Sequence, residues 1–259
     1  MRRAARVPLR PDPPPLDAAH SALFLDIDGT LLELATTPNG VRVDADVADL
    51  LPPLARALEG ALALITGRTL ADADRLLPGL AVPVAGLHGL VRRAADGMIH
   101  AHPAPPELAG LRADLTNFAA RHGGLLLEDK GTTLALHYRL APRLASHVHR
   151  IVRSHVAEAG DALWKLQPGK AMVEVGPTGR DKGTAIAEYM TEVPFQGRLP
   201  VFVGDDRSDE HGFAAVDGLG GWGVKVGPGP TLARYRLRDV AAVRRWLGAA
   251  LASRIRTGS

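Results

Sequence analysis

A chain of 259 residues that is 46% hydrophobic can bury a full core and is long enough for one large domain or two modest ones. Its 31 basic and 28 acidic residues leave a formal net charge of +3 without a concentrated basic block, so nothing calls for nucleic acid as a partner. With no cysteine, disulfides, thiolate metal sites and cysteine nucleophiles are excluded, and no apolar run approaches the roughly 18 to 20 residues that cross a bilayer, so a cytoplasmic protein with no membrane partner is expected.

Residues 1–19 combine Arg2, Arg3, Arg6 and Arg10 with Pro11, Pro13, Pro14 and Pro15, offer no core-facing stripe, and are expected to form a disordered leader. From Ser21 a short apolar run leads at once into polar or glycine residues and then into a helix-like stretch. Residues 22–25 run into Asp26-Ile27-Asp28-Gly29-Thr30, residues 61–65 into Thr66-Gly67-Arg68, and residues 82–85 into Gly86-Leu87-His88-Gly89. Residues 106–122 predict a helix, 125–128 and 132–138 a strand pair about Asp129-Lys130-Gly131, and 143–158 a second helix. A further pair, 162–166 and 171–175, turns about Gln167-Pro168-Gly169. The first pattern resumes after Gly179, with Lys182 at a helix start and residues 199–203 running into Gly204-Asp205-Asp206.

Continuous apolar runs alternating with helices predict buried parallel strands, and ligands of such sheets bind beyond the carboxyl ends of the strands. The expected fold is therefore α/β, a Rossmann-type parallel core over 20–103 and 178–259 into which an α+β module, 104–177, is inserted.

The strand ends carry the chemistry. A carboxylate that attacks phosphorus forms an acyl phosphate that water then cleaves, and Asp26 is the candidate nucleophile. Asp28, two residues on, is the candidate acid that protonates the leaving oxygen and the base that then activates water. Alone, Asp-x-Asp-Gly is equally a strand-ending turn; the ordered set that follows tips the balance. Thr66 is suited to hold a phosphoryl oxygen and Lys182 to neutralise its charge. Asp26, Asp28, Asp205, Asp206 and Asp209 are candidate ligands for Mg²⁺, which prefers hard oxygen donors.

These four segments resemble the motifs of the haloacid dehalogenase (HAD) superfamily of phosphatases. Further segments resemble its trehalose-6-phosphate phosphatase family: Ile65-Thr66-Gly67-Arg68, Ala85-Gly86-Leu87-His88-Gly89, Glu128-Asp129-Lys130-Gly131, His137-Tyr138-Arg139, Gly169-Lys170 with Glu174, and Asp205-Asp206-Arg207-Ser208-Asp209-Glu210. The resemblance implies a cap of the C2B type, Mg²⁺, and release of trehalose and phosphate from trehalose 6-phosphate. It implies Lys130, Lys170 and Glu174 as sugar contacts, and Gly67, Arg68, His88 and Glu128 join them as candidate substrate-binding residues. Gly176, before Pro177, stands where the family carries a basic residue. Other sugar phosphates, such as sucrose phosphate or mannosyl-phosphoglycerate, remain alternative substrates, and a non-catalytic sugar-phosphate-binding relative is the alternative of a different class. Gly218-Leu219-Gly220-Gly221-Trp222-Gly223 satisfies G-x-G-x-x-G but precedes a strand-like run, so no dinucleotide site is expected.

Overall fold

Leu23, Phe24 and Leu25 lie in a sheet covered on both faces, which is why their apolar run is continuous instead of alternating. The structure is a computed structural model that describes residues 10–33, 45–169 and 171–257. In chain order its elements begin with β1 (Ser21–Leu25), α1 (Ala45–Ala57), β2 (Leu62–Ile65), α2 (Leu70–Leu76), β3 (Val84–Gly86), β4 (Val91–Arg93) and β5 (Ile99–Ala101). Next come α3 (Leu108–Ala120), β6 (Leu126–Asp129), β7 (Leu134–His137), α4 (Ala145–Glu158), β8 (Trp164–Gly169) and β9 (Met172–Pro177). The chain continues with α5 (Lys182–Tyr189), β10 (Leu199–Gly204), α6 (Asp209–Gly218), β11 (Trp222–Val226), β12 (Tyr235–Leu237) and α7 (Val240–Thr257). Two compact units result, residues 1–100 with 181–259, and residues 101–180.

In the first unit the strand order β12-β11-β10-β1-β2-β3-β4-β5 places the four strands expected from the apolar runs side by side. All pairs from β12 to β3 are parallel, and the antiparallel β3–β4 pair extends the edge. Side chains alternate between two cores: Leu23 and Leu25 pack with Leu51, Leu54 and Leu247, whereas Phe24 stacks on Tyr189 and Phe195 with ring centroids 6.1 and 5.4 Å away. Register brings the strand ends level. Leu25 pairs with both Val203 and Leu64, and Ile65 pairs with Ala85, so the chain leaves β10, β1, β2 and β3 at one edge.

The disordered-leader expectation differs from the structure over 10–19, while residues 1–9 lie outside the described residues. Leu16 and Ala18 are buried in the first core, the Arg236 N–H donates to the Pro11 carbonyl at 3.0 Å, and the Trp246 indole donates to the Pro14 carbonyl at 2.8 Å. Proline lacks an N–H but keeps its carbonyl, so a proline-rich segment serves here as a row of acceptors.

The second unit is an antiparallel sheet, β6-β7-β9-β8, covered by two helices. Leu108, Leu111, Leu115 and Phe118 of α3, and Val148, Val152 and Val156 of α4, recur at helical spacing and pack with Leu134, Leu136, Val173 and Val175 of the sheet. No helix among the described residues is long and apolar enough to cross a membrane.

Candidate active site

Asp26 is the first residue past β1, where its N–H still donates to the Val203 carbonyl at 3.0 Å and its side chain is only 4–6% exposed. The ammonium of Lys182, at the start of α5, donates to Asp26 Oδ1 at 2.7 Å and to Asp209 Oδ1 at 2.6 Å. The Thr30 hydroxyl donates to Asp26 Oδ2 at 3.3 Å. Asp181 and Thr184 form a reciprocal capping box that starts α5 at Lys182. Asp209, fully buried at the start of α6, accepts from the Asp206 N–H at 2.7 Å through its second oxygen.

Tight glycines let these loops approach. Gly29 has φ +83°, and a Cβ there would lie 2.2 Å from Asp205 Oδ2; a Cβ on Gly204 would lie 2.4 Å from Asp209 Cγ. Only glycine combines the left-handed turn at 29 with that contact.

Of the five expected metal ligands the structure brings three together: oxygens of Asp26, Asp205 and Asp209 lie within 4.8 Å of one another. Asp28 is not among them. Its carboxylate takes the Arg68 guanidinium in a two-pronged pair, both bonds 2.6 Å. Asp206 is exposed and accepts from the Arg207 N–H. The two carboxylates of the first motif and the three of the last are sorted by where the loops beyond β1 and β10 aim them.

The cluster is short of positive charge. Burial, then the Asp209 and Asp205 carboxylates, hold the Asp26 carboxyl well above its usual range against the pull of Lys182. Asp205 is pushed up to about 6 by burial, then by Asp209 and Asp206. Burial opposes the charge on Lys182, yet Asp209 and Asp26 outweigh it and raise its pKa, so it is an ammonium at any working pH. Asp205 Oδ1 is buried with no hydrogen-bond partner. An orphaned carboxylate oxygen beside two more carboxylates fits a hard divalent cation, so these residues suit Mg²⁺.

Thr66 is buried past β2; its hydroxyl accepts from the Arg68 N–H at 3.2 Å and its carbonyl from the His88 N–H at 2.9 Å. His88 adopts φ +56° and packs over Gly67, where a Cβ would lie 2.7 Å from its Nε2. The expected site residues 66, 67, 68 and 88 thus form one neighbourhood in the first unit.

The remaining candidates lie in the second unit. Glu174, 3% exposed on β9, accepts from the Lys130 ammonium at 3.1 Å and the Thr133 hydroxyl at 2.8 Å. Glu128 pairs with His137 at 2.8 Å, Gly176 lies opposite Lys165 in the β8–β9 pair, and Lys170 lies outside the described residues. Two residues went unassigned in the sequence reading: Thr30, and the buried Lys225 of β11. A lysine inside the apolar run Val224-Lys225-Val226 was the signal for the latter. The glycine-rich segment 218–223 runs from the last residue of α6 into the start of β11, the reverse of the strand-to-helix order of a dinucleotide-binding turn.

Residues 24–241 match a family model described as trehalose-phosphatase. A trehalose-6-phosphate phosphatase of Escherichia coli (strain K12) is 43% identical over 234 residues, 89% of this chain and 86% of that protein. A probable trehalose-phosphate phosphatase of Sinorhizobium fredii is 42% identical over 212 residues, 82% of this chain and 80% of that protein. A crystal structure of a trehalose-6-phosphate phosphatase related protein superposes with TM-score 0.76 at 24% identity, covering 91% of this chain and 99% of the other, and HAD phosphatases share the fold.

Proposed function

The chain belongs to the trehalose-phosphatase family, and from that premise we propose that it hydrolyses trehalose 6-phosphate to trehalose and phosphate through a phosphorylated Asp26. The observation that carries this reading is the buried Asp26–Lys182–Asp209 bridge at the ends of parallel strands. The Lys182 ammonium, kept charged by two carboxylates, touches the nucleophile at the end of β1, and Thr66 stands at the end of the neighbouring β2.

In the proposed reaction a carboxylate oxygen of Asp26 bonds to phosphorus while the bond from phosphorus to the sugar oxygen breaks, and Asp28 gives that oxygen its proton. Asp28 then takes a proton from water, whose oxygen bonds to phosphorus and releases Asp26. The Arg68 guanidinium occupies both oxygens of Asp28, so proton transfer at Asp28 requires Arg68 to let go; a phosphate is a competing acceptor for the same guanidinium fork. Asp26, Asp205 and Asp209 would hold Mg²⁺, which when bound would supply charge neutralisation for the nucleophile and the phosphoryl group. Replacing Mg²⁺ by Ca²⁺ is expected to lower kcat by about tenfold or more, because calcium's longer bonds and looser coordination change the alignment. Phosphate release measured in each metal checks this; equal rates contradict it.

The inserted unit is proposed to recognise the sugar through Lys130, Lys170 and Glu174, as a cap domain. Lys130 held by buried Glu174 supports that role, since the pair fixes a long side chain that would otherwise be mobile. Lys130→Ala is expected to lower kcat/KM on trehalose 6-phosphate about ten- to a hundredfold, the loss of one charge-assisted hydrogen bond, and to leave a small aryl phosphate within about twofold. Equal losses on both substrates would mean that Lys130 supports the fold instead.

Phosphate release from a panel of sugar phosphates tests the whole reading. Trehalose 6-phosphate is expected to have the highest kcat/KM. A preference for sucrose phosphate or mannosyl-phosphoglycerate would move the assignment to another sugar, and binding without turnover would make the chain a regulatory relative.

A further inference from the structure

Every residue of β11 is buried, and one of them is Lys225, 5% exposed. An ammonium in an apolar strand is costly unless its protons are taken up. Lys225 donates to two main-chain carbonyls, that of Asp205 and that of Val226, the latter at 2.6 Å. It lies opposite Gly204, the last residue of β10, so its ammonium reaches the first residue beyond that strand. Burial, its largest influence, lowers the Lys225 pKa, which makes lysine an expensive choice where methionine would fill similar space.

The acceptor it reaches belongs to the residue whose carboxylate is least constrained by hydrogen bonds. Asp205 Oδ1 is buried without a partner, and its Oδ2 lies against Gly29. Asp26 and Asp209 are each fixed by side-chain bonds to Lys182. Through the Lys225 clamp the main chain of Asp205 is tied to β11 instead.

We infer that Lys225 is a positioning residue, which grips the Asp205 carbonyl and so keeps the Asp205 carboxylate in the acidic cluster for the cation. The inference rests on the reading of Asp205 as a Mg²⁺ carboxylate. Groups that hold a metal ligand from behind are typically worth about ten- to a hundredfold in metal affinity. An opposing effect exists: removing any cation near the cluster favours binding of another. Two neutral replacements share that effect and separate it from the clamp. Lys225→Gln keeps an N–H donor, and Lys225→Met keeps none.

Mg²⁺ binding to the full chain, without substrate, is measured by titration calorimetry for the wild type and both variants, with thermal unfolding alongside. Removing the buried charge favours the methionine variant and the loss of a donor to two buried carbonyls opposes it, so thermal unfolding serves to show that each variant is folded at the titration temperature. The methionine variant is expected to bind Mg²⁺ about tenfold or more weakly than the glutamine variant. Equal affinities in the two variants overturn the inference. A wild type that binds no Mg²⁺ overturns the metal reading beneath it, a different outcome seen in a different sample. Lys225→Leu replaces the methionine variant should that one not fold.

Discussion

Asp26→Asn is expected to remove turnover by roughly 10⁴-fold or more, the scale on which loss of an enzyme's nucleophile is felt. The amide is close to the carboxylate in shape but cannot form the acyl phosphate. The fold should survive, because each polar contact has a substitute. The amide oxygen accepts from Lys182 in place of Oδ1, the amide nitrogen donates to the Thr30 hydroxyl in place of Oδ2, and Lys182 keeps Asp209 at 2.6 Å. Burial also favours a neutral group at 26, where the carboxyl is already held well above its usual range. Kinetics and thermal unfolding on one preparation check both halves. Substantial phosphate release from a folded variant would take Asp26 out of the nucleophile role.

Lys182→Met should damage turnover and stability together. Lys182 is 3% exposed and bridges two buried carboxylates, so its loss leaves both unpaired. Breaking such a buried ion pair from one side typically costs about 3 to 5 kcal/mol. Turnover should fall by about a thousandfold, because in the proposed reaction the variant loses the charge that neutralises the phosphoryl group as well as the alignment of Asp26. The stability loss should shrink when Mg²⁺ is present, since the ion offsets part of the uncompensated charge, whereas the loss of turnover should remain. Thermal unfolding with and without Mg²⁺ reads the first effect and kcat the second. A variant as active as the wild type would remove Lys182 from the machinery.

The strands that carry this site were legible because both their faces are buried. A run such as 22–25 has no polar position to confuse it, and the change to Asp26 marks where the strand ends. The level strand ends follow from parallel packing of such runs, whereas their order does not. Pairing among side chains was not legible. Asp26 and Asp28 look alike in the chain, yet one meets Lys182 and the other Arg68 from a distant segment. Asp205, Asp206 and Asp209 look alike too, and only the path of the loop sends Asp206 outward. Residues 10–19 were misread for a related reason: composition registers missing apolar stripes, not carbonyls that a distant tryptophan and the Arg236 main chain find.

The phosphorylated aspartate itself is open to direct observation. The enzyme is mixed with Mg²⁺ and trehalose 6-phosphate, quenched in acid within one turnover, and treated with borohydride, which reduces an acyl phosphate to an alcohol. Mass spectrometry of the peptide that spans residues 22–30 is expected to show position 26 converted from aspartate to homoserine, and Asp28 unchanged. Release of phosphate with position 26 unmodified throughout, or modification at another carboxylate, would contradict the assignment of Asp26 as the residue that carries the phosphoryl group.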